Sequence, residues 1–195
     1  DRFQNTGQPD WDGEQTLADA GATLRDLGPA SGESVAEVGY GSGYFALPAA
    51  RIVEPEPVYA IDLDASLLDE LDELAEQRDV ENVVPIHGDA RDLTGVLSEP
   101  VTTLVVANTF HGVGDQSGLV ERAFEAIESG GRLIVVNWHE RPRETTTVGS
   151  GPRGPPTELR MTPRETEEAV LSAAPFERDR QVELPPCHYA LVFER

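Results

Sequence analysis

Three glycines at alternate positions constrain this chain more than any other feature. They stand in Glu37-Val38-Gly39-Tyr40-Gly41-Ser42-Gly43, directly after the β-favouring run Ser34-Val35-Ala36. An apolar, helix-like segment, Tyr44 to Val53, follows. Strand, glycine turn and helix in that order make a ligand cradle, because glycine reaches backbone angles that side chains forbid and lets a ligand approach the main chain. The helix behind the turn aims its unpaired N–H groups at whatever is bound. Pro48 inside the segment fits a helix only in its first turn or at a kink.

The rest of the chain repeats the same alternation. Pro57 to Asp62 reads as a strand, with Val58-Tyr59-Ala60-Ile61 the continuous apolar run of a buried parallel strand. Leu67, Leu68, Leu71 and Leu74 then mark an amphipathic helix. Further strands are expected over Val83–His87, Thr102–Ala107 and Arg132–Val136. Between the last two, Leu119 to Ile127 reads as a helix ended by Gly130-Gly131. Five such alternations indicate a doubly wound, mostly parallel α/β sheet with right-handed crossovers.

The ends differ from this middle. Residues 1–11 read as a polar arm, and Leu17, Ala20, Leu24 and Leu27 place a helix from Asp12 to Leu27. Residues 141–160 are rich in Thr, Gly and Pro without periodicity, which predicts a loop of about twenty residues; loops that long are usually lids or disordered. Thr162-Pro163-Arg164-Glu165 supplies an N-cap, a proline at the first helical position and a capping-box glutamate, so a helix is expected to about Ala174. Arg180–Leu184 and Tyr189–Phe193 flank Pro185-Pro186 and should pair antiparallel at one sheet edge. The whole, residues 1–195, is expected to form a single domain.

Charge narrows the function. Asp and Glu number 36 against 15 basic residues, all of them Arg, for a formal net charge of −21. Carboxylates spread along the whole chain suit high intracellular salt, where screening removes the self-repulsion, so the expectation is a halophile's protein. No basic patch offers a nucleic acid or an anionic membrane counterion release. The lone cysteine, Cys187, rules out an internal disulfide and a cysteine metal cluster, and no His/Cys/carboxylate group has metal spacing. No apolar run approaches the ~20 residues of a membrane span and no secretory leader is visible, so the expected location is cytoplasmic.

In a doubly wound sheet ligands bind beyond the carboxyl ends of the strands. Each strand here ends in a polar residue: Glu37, Asp62, Asp89, Asn108 and Asn137. Asp62, 19 residues after Gly43, has the reach to accept the ribose hydroxyls of an adenosine. A helix cap is the competing role, for which Asp64 is better placed. Asp89-Ala90 either borders the adenine, the carboxylate accepting its amine, or caps a helix. A dinucleotide would need the spacing G-x-G-x-x-G, but the third glycine comes one residue early, at Gly43, and Glu37 would repel a pyrophosphate. A zwitterion bearing an ammonium and a sulfonium tolerates that carboxylate, and S-adenosylmethionine is such a ligand.

The motif E-V-G-Y-G-S-G, the acidic end of Tyr59-Ala60-Ile61-Asp62-Leu63-Asp64, and Gly88-Asp89-Ala90 resemble those of the class I S-adenosylmethionine-dependent methyltransferases. The similarity spans about residues 34–138 by motif, and is greatest to the small type 11 branch that includes ubiquinone- and menaquinone-biosynthesis enzymes. It implies a seven-stranded Rossmann-like sheet with an antiparallel C-terminal edge strand. It also implies that Glu37 with Gly39, Tyr40, Gly41 and Gly43 holds the methionine end, Asp62 with Leu63 the ribose, and Asp89 with Ala90 the adenine. Asn108 would lie near the methyl donor. The chain departs from many relatives in having Thr102-Thr103 where strand four often opens with Asp. It also lacks the Asn-Pro-Pro-aromatic signature of enzymes that methylate nucleic-acid amines.

The expected activity is methyl transfer to a small-molecule acceptor by in-line displacement, in which alignment does most of the work. His111, three residues past Asn108, is placed as a general base or a substrate-orienting donor, against the plainer role of a loop histidine bonded to backbone. His139 lies on the same rim, and Arg160 could bind an anionic acceptor or serve as an internal ion-pair partner. The alternatives are a cofactor-binding protein without catalysis and a dinucleotide oxidoreductase. A homo-oligomer is allowed, and the acceptor stays open at this point.

Overall fold

The computed structural model describes residues 19–40, 43–148, 151–152 and 154–195. The expected arm, residues 12–18, and Gly41 and Ser42 of the glycine turn lie outside them, and the helix expected to run unbroken from Asp12 to Leu27 is instead capped at Asp19. Helix α1 (Ala20–Leu27) starts where the Asp19 carboxylate accepts the N–H groups of Gly21 and Ala22, and ends at Gly28 with φ 119°. The sheet strands are β1 (Val35–Val38), β2 (Val58–Asp62), β3 (Val83–His87), β4 (Val101–Ala107), β5 (Ile127–Trp138), β8 (Glu177–Leu184) and β9 (His188–Glu194), with the short β6 (Thr147–Val148) and β7 (Gly151–Pro152) forming a separate hairpin.

The seven strands lie in the order β3-β2-β1-β4-β5-β9-β8. β1 to β5 run parallel, and β9 is antiparallel to both β5 and β8, so the C-terminal pair forms one edge as expected. Chain order reverses between β1 and β4, the switch point at which doubly wound sheets open a crevice. Successive residues of each central strand feed opposite faces. Val105, Ala107, Ile134 and Val136 meet α1, α2 (Ala46–Val53) and α3 (Ser66–Gln77). Leu104, Val106, Leu133 and Val135 meet α5 (Gln116–Ala126) and α6 (Pro163–Ala173), with the four-residue α4 (Leu93–Val96) beside them. Pro48 is the third residue of α2, within the first turn, where its missing N–H has no partner to lose. The expected capping box is formed at α6: Thr162 and Glu165 bond reciprocally.

Two expectations need correcting. Gly130-Gly131 does not end a helix: α5 stops at Ala126, and the glycines lie inside β5. There the pairing slips from Val101↔Ile127 to Thr103↔Arg132. Gly130 takes φ 81°, and the Gly130 N–H and Gly131 carbonyl bond the backbone of Arg195. A Cβ on Gly131 would stand 2.6 Å from the Thr102 carbonyl oxygen. The bulge, not a cap, demands glycine. Segment 141–160 is likewise more structured than composition suggested. It folds as the turns Arg143–Thr145 and Thr157–Leu159 around the β6–β7 hairpin.

Candidate active site

The carboxyl ends of β1, β2 and β4 meet at the switch point. The Gly39 N–H bonds the Ile61 carbonyl at 2.8 Å, which ties the glycine turn to the residue before Asp62. On its other side, a Cβ on Gly39 (φ 71°) would stand 2.5 Å from Thr109 Oγ1. Gly43 (φ 77°) is as crowded, with Leu71 Cδ1 2.5 Å from the position of a Cβ. Both glycines are therefore required twice, by dihedral and by space.

Glu37 is 3% exposed in the middle of the sheet, between Ala60 and Val105. Tyr40 is 2% exposed, and its hydroxyl has no hydrogen-bond partner among the described residues. Burial, then the charges of Asp62, Asp72, Asp64 and Glu37, push its phenol well above the ordinary range, so Tyr40 stays neutral. Asp62 receives the Asp64 N–H at 3.0 Å through one oxygen. Asp64 does the capping, accepting Ser66 N–H at 3.0 Å and the Ser66 hydroxyl at 2.6 Å, and these bonds hold its carboxyl below the usual range. Leu63 is 44% exposed beside them. Asp89 caps the turn Ala90–Asp92 and binds the Arg91 guanidinium, which lowers its pKa. Its two oxygens thus already serve Arg91, and Ala90 is half-buried next to it.

Across the switch point the chemistry changes. Asn108 adopts φ 54°, a left-handed conformation unusual for a residue with a side chain, and its N–H bonds the Val136 carbonyl at 2.8 Å. Its Oδ1 is buried without a partner among the described residues. His111 sits in the turn Phe110–Gly112, with Nδ1 buried and unpartnered in the same sense. Burial holds its pKa below 6.5; the neighbouring Asn137 side chain opposes that and the Arg160 charge adds to it. Asn137 is fully buried and donates to Thr166 Oγ1 at 3.2 Å. Thr166 contacts the Tyr189 hydroxyl at 2.7 Å, and Tyr189 donates to the Met161 carbonyl at 2.8 Å.

Arg160, 7% exposed, donates to the Pro155 and Arg141 carbonyls and to the Thr146 hydroxyl, and lies over the Trp138 ring at 5.2 Å. It ties segment 141–160 together. His139 bonds Glu183 on β8 at 2.8 Å and packs against the Tyr189 ring, tilted by 53° with 5.0 Å between ring centres. The structure therefore brings Glu37, Gly39, Tyr40, Asp62 and Asn108 to one rim, and sets His111 beside Asn137 and Arg160. Gly41 lies outside the described residues. Thr166, Tyr189, Met161 and Gln116 carried no sequence signal as site residues; only the capping box that starts α6 pointed to their neighbourhood. Among the described residues, no group of three or more His, Cys, Asp or Glu side chains is placed to hold a metal, and no helix is long and apolar enough to cross a membrane.

A family described as "Methyltransferase domain" matches residues 35–131, the stretch that runs from β1 into the β5 bulge. No curated protein matches the chain by sequence. Among solved structures, it is similar to a SAM-dependent methyltransferase from Aquifex aeolicus, 21% identical with TM-score 0.79 over 94% of this chain and 92% of that one. It is also similar to the CcbJ methyltransferase from Streptomyces caelestis, 18% identical with TM-score 0.70 over 90% of this chain and 88% of that one. At these identities the structural likeness speaks for the fold, and the sequence match speaks for the family. Residues 35–131 thus match a family of methyltransferase enzymes, and they lie on a seven-stranded sheet with a glycine turn at its switch point.

Proposed function

We propose that this enzyme methylates a small-molecule acceptor, with the cofactor seated along the carboxyl ends of β1, β2 and β3. The observation that carries the reading is the convergence of Gly39, Asp62 and the left-handed Asn108 on one rim, with the Asn108 oxygen and the Tyr40 hydroxyl buried and unpaired among the described residues. Unpaired buried polar atoms cost about 1–3 kcal/mol each, which favours a ligand that satisfies them. In this reading Gly39 and Gly43 leave room for the methionine end, Glu37 offsets its ammonium, Asp62 accepts the ribose hydroxyls, and Leu63 and Ala90 flank the adenine. Asp89 contributes by fixing the turn that carries Ala90. The cofactor supplies an electrophilic methyl group on a sulfonium, which an acceptor lone pair displaces in line.

The chain's own part is alignment. His111 orients the acceptor and takes its proton, Trp138 walls the cleft, and Arg160 holds segment 141–160 over it so that water is excluded. His139, with Glu183, borders the same rim. A charge of −21 supports a small acceptor rather than a nucleic acid, and supports work in the cytoplasm at high salt. Calorimetry with S-adenosylhomocysteine in molar salt tests the reading: binding in the micromolar range is expected, and no binding below millimolar sinks it.

A further inference from the structure

Asn137, at the end of β5, is connected to Thr166 on α6, Tyr189 on β9 and the Met161 carbonyl by one run of hydrogen bonds whose proton directions can be read. It ends on the Met161 carbonyl, which can only accept, so the Tyr189 hydroxyl spends its single proton there. Thr166 must then donate its own proton to the Tyr189 oxygen, which leaves Thr166 Oγ1 as acceptor for Asn137 Nδ2. The Asn137 amide is thereby locked against a flip, since an oxygen turned toward Thr166 would find no proton. Its Oδ1 faces the other way, buried and without a formed hydrogen bond among the described residues. His111, whose Nδ1 is also sealed and unpartnered, is the neighbouring group that the Asn137 side chain acts on.

Two buried atoms of matching character that are unsatisfied among the described residues, an amide oxygen and a ring nitrogen, satisfy each other if the nitrogen carries the proton. We propose that Asn137, Thr166 and Tyr189 are positioning residues that fix the neutral His111 as its Nδ1–H tautomer and present Nε2 as the general base to the methyl acceptor. This rests on the methyl-transfer reading above. The turn that carries His111 is clamped to the same point: Gln116 Nε2 donates to the Phe110 carbonyl at 3.0 Å and to Met161 Sδ at 3.3 Å. Met161 therefore anchors both the orienting run and the turn it orients. The neutral form is kept by burial and by the charge of Arg160, while Asn137 opposes them; Glu140 and Glu165 act further off, on Tyr189.

The chemistry this permits is specific. A hydroxyl on the acceptor would give its proton to His111 Nε2 as its oxygen attacks the methyl carbon, and an ammonium would give up its proton before its nitrogen attacks. The bond from methyl to sulfur would break with the electron pair left on the departing thioether, and the imidazolium then returns the proton to solvent. An acceptor whose nucleophile carries no proton gains nothing from such a base. The device thus suits an acceptor bearing a hydroxyl, phenol or amine.

Long-range proton–nitrogen correlation on the ¹⁵N-histidine-labelled full chain with bound S-adenosylhomocysteine tests it, and His111→Gln identifies the signal among the four histidines. The expected result is a neutral ring protonated at Nδ1 and titrating below 6.5. In Thr166→Val, and in the milder Tyr189→Phe, that protonation preference is lost and the ring proton moves to Nε2 or exchanges between nitrogens. A wild-type ring protonated at Nε2, or variants that keep the Nδ1 proton, would overturn the proposal. Calorimetry separates the two claims: absent cofactor binding removes the methyl-transfer reading, whereas a wrong tautomer with intact binding removes only the orienting run.

Discussion

The two halves of the cleft are built on opposite plans. On the β1–β3 side the rim is made of carboxylates held by contacts two residues apart: Asp62 to Asp64, Asp64 to Ser66, Asp89 to Arg91. On the β4–β5–β9 side it holds a run of neutral side chains whose bonds join residues 29, 23 and 28 positions apart. Short-range turns set an acidic rim that a cationic, hydroxyl-bearing ligand can meet without rearrangement. Long-range bonds set proton directions, which local turns cannot do, because each direction depends on the next partner in the run. On the reading proposed above, one half holds the ligand and the other orients a proton.

If that division is right, damage to one half should leave the other intact. Asp62→Ala should do the most harm, weakening S-adenosylhomocysteine binding roughly 10- to 100-fold, as expected for about 1.5–3 kcal/mol of hydrogen bonds to a charged acceptor. Calorimetry reads the affinity, and a change under threefold would show that the acidic rim does not seat the ribose. Next, Thr166→Val strands the Asn137 amide and the Tyr189 oxygen in the core and should cost about 1–3 kcal/mol of folding stability. Denaturant unfolding measures that loss, and the same protein should bind S-adenosylhomocysteine within twofold of wild type. A parallel collapse of binding would mean that the halves are one unit.

Thr162→Ala removes half of the capping box at α6, the helix that carries Thr166, and should cost about 1 kcal/mol in the same assay. Glu165→Gln, which keeps a side-chain acceptor, should cost less. The smallest effect is the pH response of the β4 turn. His111 titrates below its ordinary 6.5 in the folded chain, so as pH falls through that value the unfolded state takes up the proton first and stability is lost. The other 36 acidic side chains give their own response, so the comparison is with His111→Gln. The variant's stability should fall less steeply below 6.5, and identical slopes would show that His111 is not buried neutral.

The same contrast explains which features are legible in the sequence. The capping box at Thr162 and Glu165, the cap at Asp64, and the tolerance of Pro48 in a first turn are local rules, and the structure obeys each. Asp89 was open between a ligand contact and a cap, and its geometry is that of a cap, because Arg91 two residues on supplies three donors. Gly130-Gly131 was misread because the dipeptide means the same thing locally at a helix end and in a bulge. What separates them is Arg195, the last residue of the chain, bonding back to both. Arg160 is open in the sequence between an anion contact and an internal ion pair, and its guanidinium donates instead to the carbonyls of Pro155 and Arg141, partners set by the folding of its own loop.

The sequence by itself therefore determined the alternation of strands and helices, the glycine turn at the first strand end, and the acidic rim. All of these depend on spacing along the chain and on one-residue dihedral and charge requirements. Only the tertiary structure decided that Asn137, Thr166, Tyr189 and Met161 meet in one buried run next to His111. A hydrogen bond across 20 to 30 residues leaves no periodic trace in the sequence, and its direction is fixed only when the last acceptor in the run is in place.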